Sequence, residues 1–270
     1  MILSWHDYER EGQFTADVVV VGTGAGGAAA GAALADAGAD VLFVEEGGWH
    51  PTASFNPYMA QSSRRLYRGG GATMIFGRTP FPYVEGRCVG GSTVINGGMC
   101  YRTPDEVLAG WERDLGSADL GAQAMAPLFE EVEARISAKQ QIEASVGGDN
   151  RIMSEAARRK GWEHNKNDRN QHLCVGANNC ILGCPTGGKQ SSLVTWMPDA
   201  MAAGARCLTH VRVESLRIEG GRCTGVRGRA IDPRTNRPSR AIEVRAKAVV
   251  VACGAVQTPV LLLRHRIGRP

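Results

Sequence analysis

No uncharged apolar stretch in this chain approaches the length of a bilayer span. The longest candidates, "VVVVGTGAGGAAAGAALA" and "AVVVACGAVQTPVLLLR", are broken by glycine or proline. The N-terminus, "MILSWHDYEREGQF", carries acidic residues and meets its first apolar run only at Val18, so it does not read as a signal peptide. No block of like charge runs along the chain. Its 31 basic and 27 acidic residues are interspersed and the formal net charge is +4, which speaks against a nucleic-acid partner. Internal repeats and low-complexity segments are also missing. The six histidines (His6, His50, His164, His172, His210 and His265) stand apart, with no serine or aspartate arrangement of triad type, and read as surface or packing residues. The expected location is the cytoplasm, or at most the face of a membrane.

What is present fits a soluble globular protein of one large domain or two ordinary ones: 270 residues, 43% apolar and 21% charged. Eight cysteines in a chain with no export signal read as thiols or ligands rather than disulfides.

Val18 to Val21 is a β-branched run bounded by glycine, the pattern of a strand buried on both faces of a parallel sheet. An alanine-rich helix ending at Gly38 and a second buried strand in "DVLFVEEGG" complete a βαβ unit. From Trp49 to Tyr83 prolines and "RGGG" predict an extended covering segment without regular elements. Helical spacing returns in "TPDEVLAGWERDLG", with Thr103 as N-cap and Pro104 at the first helical position, and in "APLFEEVEARISAKQQI", "RIMSEAARRKGW" and "KQSSLVTWMPDAMAAGA", the last interrupted or started at Pro198. The text from Val211 to Ala246 then alternates in short runs around "EGGR" and "DPRTNRP", which predicts a three-stranded antiparallel meander. "AVVVACGA" follows as a further buried strand running into the apolar helix "VQTPVLLLRH". A meander, where a nicotinamide-type half would have a helix, points by analogy to an FAD-binding Rossmann-like fold of the glutathione-reductase type.

Gly22, Gly24 and Gly27 form GxGxxG between the first strand and the first helix. The first allows the tight turn, the second lets backbone approach a pyrophosphate, and the third lets the helix pack closely on the strand. Glu45, at the end of the second strand, stands where a carboxylate accepts hydrogen bonds from a ribose diol and repels a 2'-phosphate. A second glycine-rich run, "GRCVGGSTVINGG", sets bare backbone at Gly90 and Gly91 beside Ser92, Thr93 and Asn96, a surface suited to a flat polar ring or to phosphate oxygens. On composition alone it reads equally well as a solvent loop.

Cys174, Cys180 and Cys184, spaced C-x5-C-x3-C and followed by Pro185, leave three readings open. They are iron–sulfur ligands, a redox-labile or structural loop, or a zinc site whose fourth ligand is not evident. Cys88, Cys100, Cys207, Cys223 and Cys253 sit singly among apolar or strand residues and read as inert thiols.

"VVVGTGAGG", "VLFVEEGG", "GRCVGGSTVINGGM" and "VVVACGAVQTPVLLLRHRIG" occur in an order and spacing that resemble the glucose-methanol-choline (GMC) oxidoreductase family. The resemblance implies an FAD enzyme that oxidises alcohols by hydride transfer to flavin N5. It places Gly22, Gly24 and Gly27 on the pyrophosphate and Glu45 on the adenosine ribose. It sets Gly90, Gly91, Ser92 and Asn96 along the pyrophosphate and flavin, Val213 against adenine through its backbone, and Gly254 with Ala255 beside the same cofactor. As a bare strand residue Val213 reads equally well as core, and Gly254 as a helix-start glycine. The cysteine loop and "STVINGGMCYRTP" resemble the long-chain alcohol oxidase branch, implying a long-chain or bulky apolar alcohol. Members with a cluster show an adjacent cysteine pair where this chain has Cys174 and Val175. Two rivals stay open: an FAD and iron–sulfur electron-transfer module, and a nicotinamide-binding Rossmann protein. Expected boundaries are 1–100 and 201–270 for the FAD domain, with 101–200 an inserted substrate or cap segment. The resemblance further implies that about as much sequence again follows "GAVQTPVLLL", carrying a sheet strand, much of the substrate sheet and a general-base histidine. The expectation is an N-terminal half that needs its other half, in cis or as a partner fragment, for stable FAD binding and turnover.

Overall fold

The computed structural model describes residues 1–7 and 12–268; Glu9 and Glu11 of the acidic N-terminal stretch and the last two residues lie outside it. In chain order the elements are β1 (Ile2–Leu3), β2 (Gln13–Val21), α1 (Ala25–Asp36), β3 (Val41–Val44), α2 (Met59–Leu66), β4 (Thr73–Ile75) and β5 (Phe81–Tyr83). Then come α3 (Asp105–Leu115), α4 (Ala122–Arg135), β6 (Ala138–Gln140), α5 (Gly148–Arg159) and β7 (Asp168–Asn170). The chain closes with α6 (Trp196–Ala202), β8 (Arg206–Leu208), β9 (Val211–Glu219), β10 (Arg222–Ile231), β11 (Pro238–Val251) and α7 (Gly254–Arg264).

Seven strands form one sheet in the order β1-β8-β3-β2-β11-β10-β9. From β1 to β11 each neighbouring pair is parallel, and β11-β10-β9 is the antiparallel meander. The register follows the valine runs: Val18 to Val21 pairs residue for residue with Val41 to Val44 on one side and with Ala248 to Val251 on the other. Because side chains alternate across a strand, this run feeds two cores. Val18 and Val20 join Ala28, Ala32, Phe43, Cys207 and Met197 on the face covered by α1 and α6. Val19 and Val21 join Leu42, Val44, Leu216, Val226, Ile242, Val244 and Leu261, a layer shared with the meander and α7.

The structure corrects the sequence reading in several places. The third meander strand and the buried strand that follows are one continuous β11, whose Glu243 to Arg245 segment bonds β10 on one edge and β2 on the other. No turn residue separates "AIEVRA" from "KAVVV", so nothing stops the strand. This pairing also draws β2 back to Gln13, and the N-terminal Ile2 and Leu3 form an edge strand on β8 that hydrophobic pattern did not announce. The 49–83 segment is not wholly irregular, since it holds α2 and the β4–β5 hairpin. Pro104 itself occupies the N-cap of α3, with no side-chain cap from Thr103. The helix expected through "ISAKQQI" stops at Arg135; Ser137 turns to φ 51° and Ala138–Gln140 pairs with β7 as a strand. Pro198 is the third residue of α6.

The chain divides into two compact units, one of residues Met1–Asn96, Ile181–Pro185 and Ser191–Pro270, the other of Gly97–Cys180 and Thr186–Gln190. The first contains the seven-stranded sheet; the second contains α3, α4, α5 and the β6–β7 pair. Of the expected 101–200 insertion, Ile181–Pro185 and residues 191–200, which hold the lead-in to α6 and most of that helix, belong to the first unit. All eight cysteines are free thiols.

The face of α1 is built from small residues, with Gly27, Ala28, Gly31, Ala32 and Ala35 buried. A Cβ at Gly31 would overlap the ring of Phe43, which is fully buried. Close approach of this helix to β3 thus depends on that hydrogen. Gly31→Val should cost about 2–3 kcal/mol by overpacking, read as a lower denaturant midpoint with unchanged slope; a midpoint equal to the parent's would show that the helix can lift at no cost.

Candidate functional site

The three glycines of the first loop serve three different purposes. Gly22 follows β2 at φ 97°, a left-handed conformation that disfavours side chains, and a Cβ there would stand 2.5 Å from the carbonyl oxygen of Ala252. At Gly27 a Cβ would overlap the carbonyl oxygen of Gly22, so this glycine lets the helix close on the strand. Gly24 is unlike both. It is the N-cap of α1 at φ −67°, and a Cβ on it would find nothing within 4 Å. No backbone or packing constraint among the described residues calls for glycine there, which fits a surface kept bare for a ligand. The helix it opens has no side-chain cap, so its positive dipole end is available to an anion.

The second glycine run touches the first. A Cβ on Gly91 would stand 2.8 Å from the Cα of Gly24, so the two backbones lie one on the other. A hydrogen-bonded clip holds them. The Gly90 N–H donates to Thr23 Oγ1 (3.1 Å), the Thr23 hydroxyl donates to Glu45 Oε2 (2.7 Å), and the Thr23 N–H donates to the same oxygen (3.1 Å). Glu45 Oε1 accepts from the Gly47 N–H at 2.9 Å. Burial pushes the Glu45 carboxyl above its ordinary range, partly offset by the bonds from Gly47 and Thr23. Three loops that sequence analysis could only set side by side are thus joined through one carboxylate.

Around this junction lies a cavity of about 1030 Å³. Gly22, Gly24, Glu45, Gly91, Ser92, Val213, Gly254 and Ala255 all line it. Gly27, Gly90 and Asn96 do not. Gly27 and Gly90 act beneath the surface, where a Cβ on Gly90 would stand 2.7 Å from the Val94 side chain and 3.0 Å from Leu193. Asn96 is exposed outside the lining, and Thr93 lines the cavity instead, donating to the Gly90 carbonyl at 2.6 Å and accepting from the Ser192 N–H at 2.9 Å. Sequence reasoning also missed a charged wall. Glu46 receives Arg68 on both carboxylate oxygens (3.1 and 2.9 Å) and Arg212 on Oε1 (3.0 Å). Burial pushes the Glu46 carboxyl up, but the two guanidiniums outweigh it and hold it below the usual range. Glu85 stands 3.2 Å from Arg68 Nε and accepts from Gln257 on α7 at 3.2 Å. Only the doubled glutamate after "VLFV" hinted at this wall.

Cys174 and Cys180 belong to the second unit and Cys184 to the first, and among the described residues no group of three or more His, Cys, Asp or Glu side chains could hold a metal ion. Cys180 Sγ accepts a hydrogen bond from Arg169 at 3.2 Å. No histidine among the described residues lines the cavity. His265 Nε2 accepts from the Leu216 N–H at 2.8 Å, a packing role. His50 and His210 flank Gly48, where a Cβ would stand 2.8 Å from His210 Nε2 and 3.3 Å from His50 Nε2.

A mostly parallel sheet whose strand β2 runs into a bare glycine turn, a free helix N-terminus and a carboxylate at the end of β3 define a dinucleotide-binding α/β protein. Comparison with known proteins narrows this. The profile of the family described as "GMC oxidoreductase" matches residues 63–270, and that described as "FAD binding domain" matches residues 17–61. The chain belongs to the GMC oxidoreductase family. It is 36% identical over 262 residues to an uncharacterized GMC-type oxidoreductase of Sinorhizobium fredii, covering 95% of this chain and 51% of that protein. It is 30% identical over 267 residues to a long-chain-alcohol oxidase of Arabidopsis thaliana, covering 94% of this chain and 34% of that one. Among solved structures, pyridoxine 4-oxidase from "Mesorbium loti" shares the fold at TM-score 0.68 and 20% identity, over 93% of this chain and 52% of that one. The chain therefore spans about half, or less, of the length of these relatives. Its cofactor is FAD, and the open face of Gly24 beside the uncapped helix fits the pyrophosphate of that group. No helix among the described residues is long and apolar enough to cross a membrane.

Two tests follow from this geometry. In a protein completed to its relatives' length, Gly24→Val should fold with a melting temperature near the parent's yet lose flavin, whereas Gly22→Val should lose the fold; retention of flavin by Gly24→Val, judged by visible absorbance, would show that the bare surface is not the pyrophosphate seat. The second concerns acid. Arg65 Nη2 lies 3.2 Å from His50 Nδ1, and a guanidinium only donates, so that nitrogen must hold a lone pair. Burial, then Arg65 and His210, lower the His50 pKa from 6.5 to about 4. The unfolded chain then binds more protons between these values, so stability should be level above about pH 6.5 and fall as pH drops toward 4, by up to about 3 kcal/mol. Urea titrations across this range should show the slope in the parent and a shallower one in His50→Gln.

Proposed function

We propose that this chain is the FAD-holding part of an enzyme that oxidises an alcohol CH–OH group, with a long-chain or otherwise bulky apolar alcohol as substrate. The observation that carries the reading is Gly24, bare toward a cavity walled by both glycine runs, in a family whose relatives include long-chain-alcohol oxidases. Gly24 and the N-terminus of α1, with Gly91 and Ser92 facing them, hold the pyrophosphate. Glu45 keeps one lone pair of Oε1 for a ribose hydroxyl, since its other acceptor positions are engaged by Thr23 and Gly47. Val213 offers backbone to adenine, and Gly254 with Ala255 borders the same group. When bound, the flavin supplies the hydride acceptor, at N5. The seven-stranded unit is the FAD domain. The unit of residues 97–180 and 186–190 is part of a substrate or cap domain.

Oxidising an alcohol carbon also needs a base for the hydroxyl proton. None of the described histidines is placed in the cavity to act as one. Activity accordingly belongs to a polypeptide of the relatives' length, and residues 1–270 by themselves do not turn over alcohols. The test expresses residues 1–270 alone, and the same residues fused to or coexpressed with the C-terminal half of the Sinorhizobium fredii relative. The combined protein should be yellow and should reduce an artificial acceptor with a straight-chain fatty alcohol, while the shorter chain should not. Steady alcohol oxidation by residues 1–270 with added FAD, or a colourless combined protein, would overturn the reading.

A further inference from the structure

The cofactor cavity contains two carboxylates that no glycine motif accounts for. Glu46 and Glu85 both line it, with side chains only 15% and 10% exposed. FAD brings a pyrophosphate dianion into the same cavity, and charges in a partly buried space are weakly screened. Left alone, these two carboxylates would oppose the cofactor. Among the described residues one side chain spans both. Arg68 sets its terminal nitrogens as a fork on Glu46 at 3.1 and 2.9 Å, and its Nε lies 3.2 Å from Glu85 Oε2. Arg212 reaches only Glu46, and Arg87 lies 3.8 Å from the same carboxylate.

Backbone fixes Arg68 in this role. Its N–H donates to the Glu85 carbonyl at 2.8 Å, and the Arg87 N–H donates to the Leu66 carbonyl at 2.7 Å, so the segment before the β4–β5 hairpin is tied beside the second glycine run. The guanidinium stands where the loop after β3, which carries Glu46, faces the start of that run, which carries Glu85. Its Nε is buried and makes no hydrogen bond, because its approach to Glu85 is close but not aligned. The ion pair with Glu85 is therefore coulombic rather than directional, and charge is what Arg68 contributes there.

We propose that Arg68 is a cofactor-site residue whose positive charge neutralises Glu46 and Glu85 together and so lets the FAD pyrophosphate enter the cavity. This rests on the FAD assignment, which flavin uptake by the unsubstituted protein tests separately. Apoprotein of the combined form described above is titrated with FAD and with ADP, following flavin fluorescence and ADP competition. Arg68→Met should weaken both ligands about tenfold or more. Arg68→Lys should stay within a fewfold of the parent. Adding Glu46→Gln to Arg68→Met should recover most of the lost affinity, and Glu46→Gln alone should bind both ligands at least as tightly as the parent. A structural role alone would lower the melting temperature without recovery of affinity in the double variant. If Arg68→Met binds FAD within twofold of the parent, or Glu46→Gln fails to restore affinity to it, the proposal is wrong. Should Arg68→Met not fold, Glu46→Gln alone still decides: weaker FAD binding by that variant overturns the proposal, and equal or tighter binding supports it.

Discussion

The carboxylate of Glu45 is the point on which the site turns. It is almost fully buried, and burial of a charge is costly unless donors surround it. Here the donors are the Thr23 N–H, the Thr23 hydroxyl and the Gly47 N–H, and the Thr23 oxygen in turn receives the Gly90 N–H. Satisfying one acidic group therefore fixes the distance between the first glycine turn, the end of β3 and the second glycine run. Gly91 can then lie on Gly24 with no side chain between. The cavity follows from this arrangement of backbone.

The sheet supplies the rigid frame for that junction. Val18 to Val21 is bonded on both edges and buried on both faces, so the turn at Gly22 leaves from a fixed point. One face is closed by the small-residue surface of α1, the other by the inner side of the meander and by Leu261 of α7. The continuity of β11 gives the meander its place. The same strand bonds β10 along one edge and β2 along the other, and it ends at the cavity, where Ala252, Cys253 and Gly254 form part of the wall.

Charge in the cavity is more finely divided than the formal balance of the chain suggests. Glu46 is held by Arg68 and Arg212, with Arg87 near, and Glu85 by Arg68 and Gln257. These side chains come from the loop after β3, the segment before the hairpin, the start of the second glycine run, β9 and α7. Their spacing in sequence is wide, and no local pattern ties them.

The βαβ unit, the meander and the place of Gly22, Gly24 and Gly27 between a strand and a helix could be read directly, because periodicity and glycine spacing are set by local backbone geometry. The same holds for Glu45 as the acidic residue at the strand end. Its engagement by Thr23 could not, since Thr23 occupies a position at which the GxGxxG pattern specifies no residue type. Asn96 looked equivalent to Ser92 and Thr93 in the glycine run, yet it faces solvent outside the cavity, because the 3-10 turn of Gly91–Thr93 carries the chain away before it. The close spacing of Cys174, Cys180 and Cys184 left a common ligand open as one reading of three, because spacing constrains only chain reach; the unit boundary passes between Cys180 and Cys184. The sequence by itself determined the βαβ unit, the alternating strands of the meander and the helix with a bare start. The tertiary structure alone decided which side chains meet in the cavity, because Arg68, Glu46, Glu85 and Arg212 are brought together by sheet order and loop crossing, and neither leaves a mark on neighbouring residues.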